Sequence, residues 1–398
     1  MSDAAYPVVR LKPKIDTRAL KQGAPWVYAD ELVTDRRTKA LSAGSLAVLQ
    51  DTNRSNLGLV TVNMGSKIIA RTLDQDVDAA IDPQWFAARI SSALALRERL
   101  YSAPFYRLIH AEADGLPGVI VDRFGDVLVV QPNAAWADVR IDMLADTLLA
   151  VTGASTIVKN ASGRARALEG LDTETKVIRG AHPGVVEVPM NGAIYMADLA
   201  EGQKTGLFYD QRDNHAFAQR LADGARVLDV FSHVGGFGLA ALAGGATHAL
   251  AVDGSAPALD LATRGAEASG WADRFATRKG DAFKVMEALQ EEGQTFDLVI
   301  ADPPAFAPSK KALQNGLTAY SRVAMNAAKL VAAGGYLVLC SCSHAADLAK
   351  FRQASLRGIA RAGRTAQVIH TGAAGPDHPV HPALAESSYL KALFFRLS

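Results

Sequence analysis

The sequence predicts an α/β domain on a mostly parallel sheet in the C-terminal half, preceded by a small β-barrel-like domain and a small α+β domain. Three observations carry that prediction. From about Asn191 onward, buried strand patterns alternate with alanine-rich helix patterns, as parallel βαβ units require. The first stretch shows only short, closely spaced strand patterns, which suit a small barrel. Between the two, strands, a helix and further strands follow one another. The 398 residues also exceed one ordinary core, since domains run roughly 100–200 residues.

Residues 1–75 form the first predicted domain, with strands at Val8–Leu11, Ser45–Leu49, Leu57–Val62 and Lys67–Arg71. A helical connector follows over residues 76–103. Asp82-Pro83 supplies an N-cap with proline at the first helical position, and Trp85, Phe86, Ile90, Leu94, Leu96 and Leu100 recur at helical spacing. The central domain, residues 104–190, carries strands at Tyr106–Ile109, Val119–Arg123 and Val127–Gln131, a helix over Trp136–Val151, and strands at Thr156–Lys159 and near Val185–Val188. The last domain, residues 191–398, offers five buried strands in order: Arg226–Phe231, Ala249–Asp253, Phe275–Arg278, Phe296–Asp302 and Gly335–Ser341. Two more close the chain, Ala366–Ile369 and Tyr389–Leu397.

Composition excludes several classes. The chain is 49% hydrophobic and 21% charged, with no apolar run near the ~20 residues that span a bilayer. Met1–Arg10 is too short and too mixed for a signal peptide, so the expectation is a cytoplasmic protein without a membrane segment. The net charge of +1 argues neither for nor against a nucleic-acid partner; a local basic face would have to meet one. Arg10, Lys12, Lys14, Arg18, Lys21, Arg36, Arg37 and Lys39 concentrate charge near the N-terminus, and charge alone leaves open whether they are simply a solvated face. Two cysteines, one residue apart, make neither a disulfide framework nor a zinc site, so no metal is expected.

In open α/β sheets ligands bind beyond the carboxyl ends of the strands, so the residues after each strand are the informative ones. After the first come Asp229, Phe231, Ser232, Gly235 and Gly236, whose glycines let backbone approach a ligand at a helix N-terminus. Asp253, followed by Ser255, ends the second strand and can accept from two ribose hydroxyls. Asp281 with Ala282 follows the third, and Asp281 can accept from an adenine amine. Asp302-Pro303-Pro304 follows the fourth, where consecutive prolines hold the backbone extended and stiff ahead of Phe306. Each feature has a plain alternative: Gly-Gly as a turn, a strand-end Asp as a helix cap. Four such sites in the right order are what a class I S-adenosylmethionine (SAM)-dependent methyltransferase shows. Phe231 and His233 stand where glycines often stand, which weighs against a nicotinamide dehydrogenase.

Both cysteines lie at the fifth strand. Cys340 is in mid-strand and reads as a small packing residue. Cys342, at the strand tip, is expected to face Asp302 across the site. A thiolate is the nucleophile that attack on a pyrimidine C6 requires.

Gly206-Leu-Phe-Tyr-Asp-Gln211-Arg212-Asp-Asn214, Val227–Phe237, Asp302–Phe306 and Ser341-Cys342-Ser343 together resemble the RlmI-like family of rRNA (cytosine-C5) methyltransferases. Pro25–Tyr28, Asp114–Phe124, Asp377–Pro379 and Tyr389-Leu-Lys391 extend the resemblance over nearly the whole chain. The resemblance implies an N-terminal PUA-like RNA-binding domain, a small central α+β domain and a Rossmann-like catalytic domain. It implies SAM as cofactor, RNA (large-subunit, 23S rRNA) as partner, and permits a homodimer. It places Gln211 and Arg212 beside the cofactor or RNA cleft, with Pro303, Pro304 and Phe306 toward the substrate; a loop salt bridge is the plainer use of Arg212. Ala305 departs from the family's usual lysine, and His233 from its usual aromatic.

The implied reaction adds Cys342 to C6 of a cytosine, makes C5 nucleophilic toward the SAM methyl, and releases the cysteine after C5 loses its proton, with Asp302 on the ring edge. The target base must leave its stack to be reached. Two rival readings stand beside this one. Methylation of a base nitrogen would use the Asp-Pro-Pro turn and no cysteine. A non-catalytic RNA-binding assembly factor would explain the unusual glycine loop, against the intact Asp229, Asp253, Asp281 and Asp302.

Overall fold

The computed structural model describes residues 6–199 and 206–398. Residues 1–5, where the expected absence of a leader begins, and 200–205 in the predicted last domain lie outside the described residues. Contacts divide the chain into two compact units: residues 1–184 with 199–206 and 379–385, and residues 185–198 with 207–378 and 386–398.

In the first unit, β1 (Val8–Arg10), α1 (Arg18–Lys21), β2 (Trp26–Tyr28), α2 (Arg36–Lys39), β3 (Ser45–Gln50), β4 (Asn56–Val62) and β5 (Ile68–Asp74) build a five-stranded sheet in the order β1-β3-β4-β5-β2. Val9, Val27, Ala47, Leu49, Val60 and Ile69 alternate into its core. Strand β2 goes unread in the sequence because three residues carry no periodicity of their own; pairing with β5 defines it. Helix α3 (Pro83–Leu100) starts where expected, with Asp82 accepting the Trp85 N–H at 2.9 Å.

A second five-stranded sheet follows, from β6 (Phe105–His110), β7 (Val119–Phe124), β8 (Val127–Pro132), β9 (Thr156–Lys159) and β10 (Lys176–Arg179), in the order β10-β9-β8-β7-β6. The helix expected over Trp136–Val151 is two, α4 (Ala135–Val139) and α5 (Ile141–Thr152), with Arg140 between them donating to the Gly44 and Trp136 carbonyls. Helix α6 (Arg164–Glu169) precedes β10. The strand expected near Val185 in this central sheet belongs elsewhere. It is β11 (Val185–Met190), which among the described residues pairs only with β12 (Ala193–Asp198), as a hairpin in the second unit, and β10 takes the edge of the central sheet instead. The physical reason is burial: Val188, Met190 and Tyr195 of the hairpin are covered within the second unit. A buried charge cluster joins barrel and central sheet. Arg71 bridges Glu112 and Glu169, each at 3.1 Å, and Trp26, Asn63 and Ser66 donate to the same carboxylates.

The second unit continues with α7 (Arg212–Gln219), β13 (Arg226–Val230), α8 (Gly236–Ala243), β14 (His248–Asp253), α9 (Ala256–Ala268), β15 (Phe275–Lys279), α10 (Ala282–Glu291), β16 (Phe296–Ala301), α11 (Leu313–Leu330), β17 (Val331–Ser341), α12 (Leu348–Arg361), β18 (Ala366–Gly372) and β19 (Lys391–Leu397). Its seven strands lie in the order β15-β14-β13-β16-β17-β19-β18. All neighbours are parallel except β19, which runs antiparallel between β17 and β18. This is the predicted Rossmann-like architecture. Central strands buried on both faces, such as Val227, Leu228, Val230 and Leu298 to Ala301, explain the continuous apolar runs in the sequence. The strand order reverses beside β13, where β14 leads one way and β16 the other, so the ligand crevice opens there. Among the described residues no helix is long and apolar enough to cross a membrane.

Candidate active site

The loop after β13 turns sharply through left-handed backbone. Phe231 has φ 63°, His233 φ 49° and Gly235 φ 80°. The two positions singled out as glycine-like are therefore ones where glycine would relax the chain, and a bulky residue there costs strain of the kind that gathers at functional sites. Surrounding groups hold the loop. Asp253, at the end of β14, accepts the His233 N–H at 2.9 Å and the Ser255 N–H at 2.8 Å, clamping two strand-end loops together. The His233 ring stands edge-on to Phe208, 4.9 Å between centroids.

Beneath the loop, Asp229 is buried and accepts the Gly238 N–H at 2.8 Å through Oδ2. Burial, reinforced by Asp253, pushes its carboxyl up to about 7, while the Gly238 and Phe237 N–H groups oppose the shift. Its Oδ1 and the Ser232 hydroxyl are buried without a hydrogen-bond partner. Unpaired buried acceptors at a strand-end turn fit a polar ligand that supplies the missing bonds. Gly236 is also required for packing, because a Cβ there would come within 2.9 Å of the His215 ring. His215 is itself buried, and desolvation lowers its pKa to about 3, so it stays neutral. Tyr195 closes the floor, donating its hydroxyl to the Gly236 carbonyl at 3.1 Å.

The other acids occupy the strand ends as expected, and Asp281, like Ser255 after Asp253, also caps a helix. Ser255 caps α9, accepting from Ala258. Asp281 is exposed and caps α10, accepting the Lys284 N–H at 3.0 Å, with Ala282 as the first residue of that helix.

Asp302 follows β16 directly. Its Oδ2 accepts from Gln211 Nε2 at 2.9 Å, and Gln211 Oε1 accepts from Asn214 at 2.7 Å. Gln211 and Arg212 are thus not loop residues on display: they lie on a short 3-10 turn running into α7, and both are buried. The Arg212 guanidinium lies over the Tyr209 ring, 5.2 Å from its centroid. Pro303 is buried, Pro304 exposed, and Phe306 packs on Tyr320 at 5.1 Å.

Ala301 pairs with Leu339, which puts Cys340 level with Asp302 and Cys342 two residues beyond. Cys340 is buried; desolvation first, then Asp302, hold its thiol well above the usual range. Cys342 is partly exposed. The serines on either side of it are fully buried and their hydroxyls meet at one phenol: Ser341 donates to the Tyr320 hydroxyl at 2.9 Å, which lies 2.8 Å from Ser343 Oγ. Ser343 Oγ also accepts the Ala307 N–H at 3.0 Å, so the Asp-Pro-Pro loop and the cysteine turn are tied together. Lys391 donates to the Ser343 and Ala346 carbonyls behind them.

The sequence reading missed His215, Tyr195 and Tyr320 as parts of the site; nothing local marks them. Asn214 and Lys391 stood inside quoted motifs, which was the available signal. In the first unit, Arg10, Lys14, Arg18, Lys21, Arg36, Arg37 and Lys39 are exposed, while Lys12 donates to the Asp30 carbonyl. Among the described residues no group of three or more His, Cys, Asp and Glu could hold a metal.

Comparison with known proteins fits this geometry. Residues 107–396 match the family model of S-adenosylmethionine-dependent methyltransferases, and residues 9–75 match that of PUA-like domains. The chain is 35% identical over 394 residues to ribosomal RNA large subunit methyltransferase I of Shewanella amazonensis, covering 98% of this chain and 99% of that one. It is 36% identical to the Aeromonas hydrophila protein of the same name, covering 83% and 85%. A solved structure of a candidate SAM-dependent methyltransferase from Streptococcus mutans superposes with a TM-score of 0.82 at 18% identity, covering 98% of this chain and all of that one. A second solved structure, of a candidate methyltransferase in complex with S-adenosylhomocysteine (SAH), also superposes with a TM-score of 0.82 at 18% identity, covering 98% of this chain and 99% of that one.

Proposed function

The chain belongs to the ribosomal RNA large subunit methyltransferase I family of SAM-dependent methyltransferases, and on that premise we propose that it methylates C5 of a cytidine in large-subunit rRNA through a covalent adduct at Cys342. The observation that carries the cysteine route is the contrast at the end of β17. Cys340 is buried and held protonated, whereas Cys342 is partly exposed on a turn bonded to the Asp302–Ala307 loop. A nucleophile must be reachable and fixed, and only Cys342 meets both needs.

Asp229, Ser232 and Asp253, with the left-handed loop above them, are the residues that would hold SAM; Asp281 would hold its base. When bound, SAM supplies an electrophilic methyl carbon. The chain's own groups do the rest. The Cys342 sulfur forms a bond to C6 of the flipped-out cytosine, and the ring's electrons move toward C5. Asp302, its Oδ2 held by Gln211, meets the ring edge at N3 or the amine. After C5 is methylated its proton leaves to a base, the C6–S bond breaks, and the sulfur departs as thiolate, restoring the aromatic ring. Exposed lysines and arginines of the PUA-like domain meet the RNA backbone.

The test is nucleoside mass spectrometry on unmodified large-subunit rRNA incubated with SAM and the full-length chain. 5-Methylcytidine is expected from the wild type, and none from Cys342→Ala, with calorimetric SAM affinity retained. A methyl on a ring or amino nitrogen, or an active Cys342→Ala, refutes the adduct.

A further inference from the structure

The Tyr389-Leu-Lys391 motif at the start of β19 plays no part in the chemistry above, yet both of its polar residues bind site-forming segments. Tyr389 donates a short hydrogen bond to Asp210 Oδ2, one residue before Gln211. Lys391, paired in register with Ser341, is buried, and its Nζ donates to the Ser343 carbonyl at 2.6 Å and the Ala346 carbonyl at 2.8 Å. These carbonyls satisfy two of the three ammonium hydrogens without neutralising the charge. A buried ammonium with no counter-anion is costly.

Burial pulls the Lys391 ammonium below its ordinary pKa, and two anions oppose that, an ionised Cys342 first and then Asp347. Asp347 is already paired with Lys350, and both side chains are about half exposed, so much of its field is spent there and in solvent. Other titratable groups on the elements around this turn are Tyr320, Cys340, Asp302 and His344. Tyr320, facing from α11, and Cys340, on the same strand, are both held protonated by burial. Asp302 acts on Cys340 and accepts from Gln211.

We propose that Lys391 is a positioning residue for methyl transfer: its ammonium pins the turn that follows Cys342 and stabilises the Cys342 sulfur as thiolate. The thiol proton goes to solvent and the lysine keeps its own, so no partner base is needed for ionisation. This rests on Cys342 being the nucleophile, but the test reads the thiol and not the product.

The pH dependence of iodoacetamide alkylation, located to Cys342 by peptide mass spectrometry on the full-length chain, measures the thiol directly. The wild-type inflection is expected about one unit or more below the ordinary thiol value of ~8.5. Lys391→Met should raise it by about one unit, slowing alkylation at pH 7 roughly 10-fold, and Lys391→Arg should restore most of the wild-type profile. A wild-type inflection at or above ~8.5 overturns the proposal, and this needs no variant. So does an unshifted profile in a Lys391→Met that still binds SAH, since a merely structural lysine would reduce activity without moving the thiol. If the low inflection is found but the product is not 5-methylcytidine, the function fails and the thiolate site stands. If 5-methylcytidine forms with an ordinary inflection, the reverse holds.

Discussion

Replacing Asp229 with asparagine should stabilise the second unit at high pH, and the amount follows from the structure. The carboxyl is 1% exposed and its pKa rises from 3.8 to about 7, chiefly by desolvation. A group whose folded pKa is raised contributes stability that is fully present below the unfolded value and lost as pH rises through the folded one. The loss therefore starts near 3.8 and is complete just above 7. At 1.36 kcal/mol per unit, a shift of about three units costs the folded state roughly 4 kcal/mol above pH 7. Between pH 5 and pH 8 the part still to be lost is about 3 kcal/mol. His215 works the other way. Its pKa falls from 6.5 to about 3, so its contribution is present above 6.5 and is lost as pH falls. The difference between wild type and Asp229→Asn removes the histidine and isolates the aspartate. Urea denaturation of the cofactor-free chain, followed by circular dichroism at pH 5 and pH 8, should show the variant gaining on wild type by about 3 kcal/mol across that interval. Parallel pH dependences of the two proteins would refute the burial argument. The same variant should bind SAM more weakly, because the buried acceptor Oδ1 is replaced by an amide.

Other outcomes follow from single contacts. Tyr320→Phe strips the shared partner from Ser341 and Ser343, and should cost about 2 kcal/mol of stability and reduce kcat more than the KM for SAM, read by urea denaturation and tritiated methyl transfer. Gly236→Ala drives a Cβ to 2.9 Å from the buried His215 ring and should weaken SAH binding at least 10-fold by calorimetry. Cys340→Ala should lower stability by about 1 kcal/mol and keep methyl transfer within a few-fold of wild type, in contrast to Cys342→Ala. In the first unit, Arg97→Leu leaves Asp114 buried without its two-point partner, at 2.6 and 2.7 Å, and should destabilise by about 3–5 kcal/mol in denaturant titration.

The sequence by itself determined the elements and the strand-end acids. Apolar runs, helix caps such as Asp82, and the regular strand–helix alternation are local signals, each readable within a dozen residues. They place Asp229, Asp253, Asp281 and Asp302 at the ends of successive strands, and they mark Phe231 and His233 as residues in glycine positions. Only the tertiary structure decided which of these groups have partners. That Gln211 steadies Asp302 across 91 residues, that His215 forbids a side chain at Gly236, that the Val185 strand leaves the central sheet for a hairpin, and that the last strand enters antiparallel beside β17 to bring Lys391 behind the Cys342 turn all depend on strand order and register. Register is fixed by which apolar faces bury together over the whole sheet, and no local stretch of sequence contains that information.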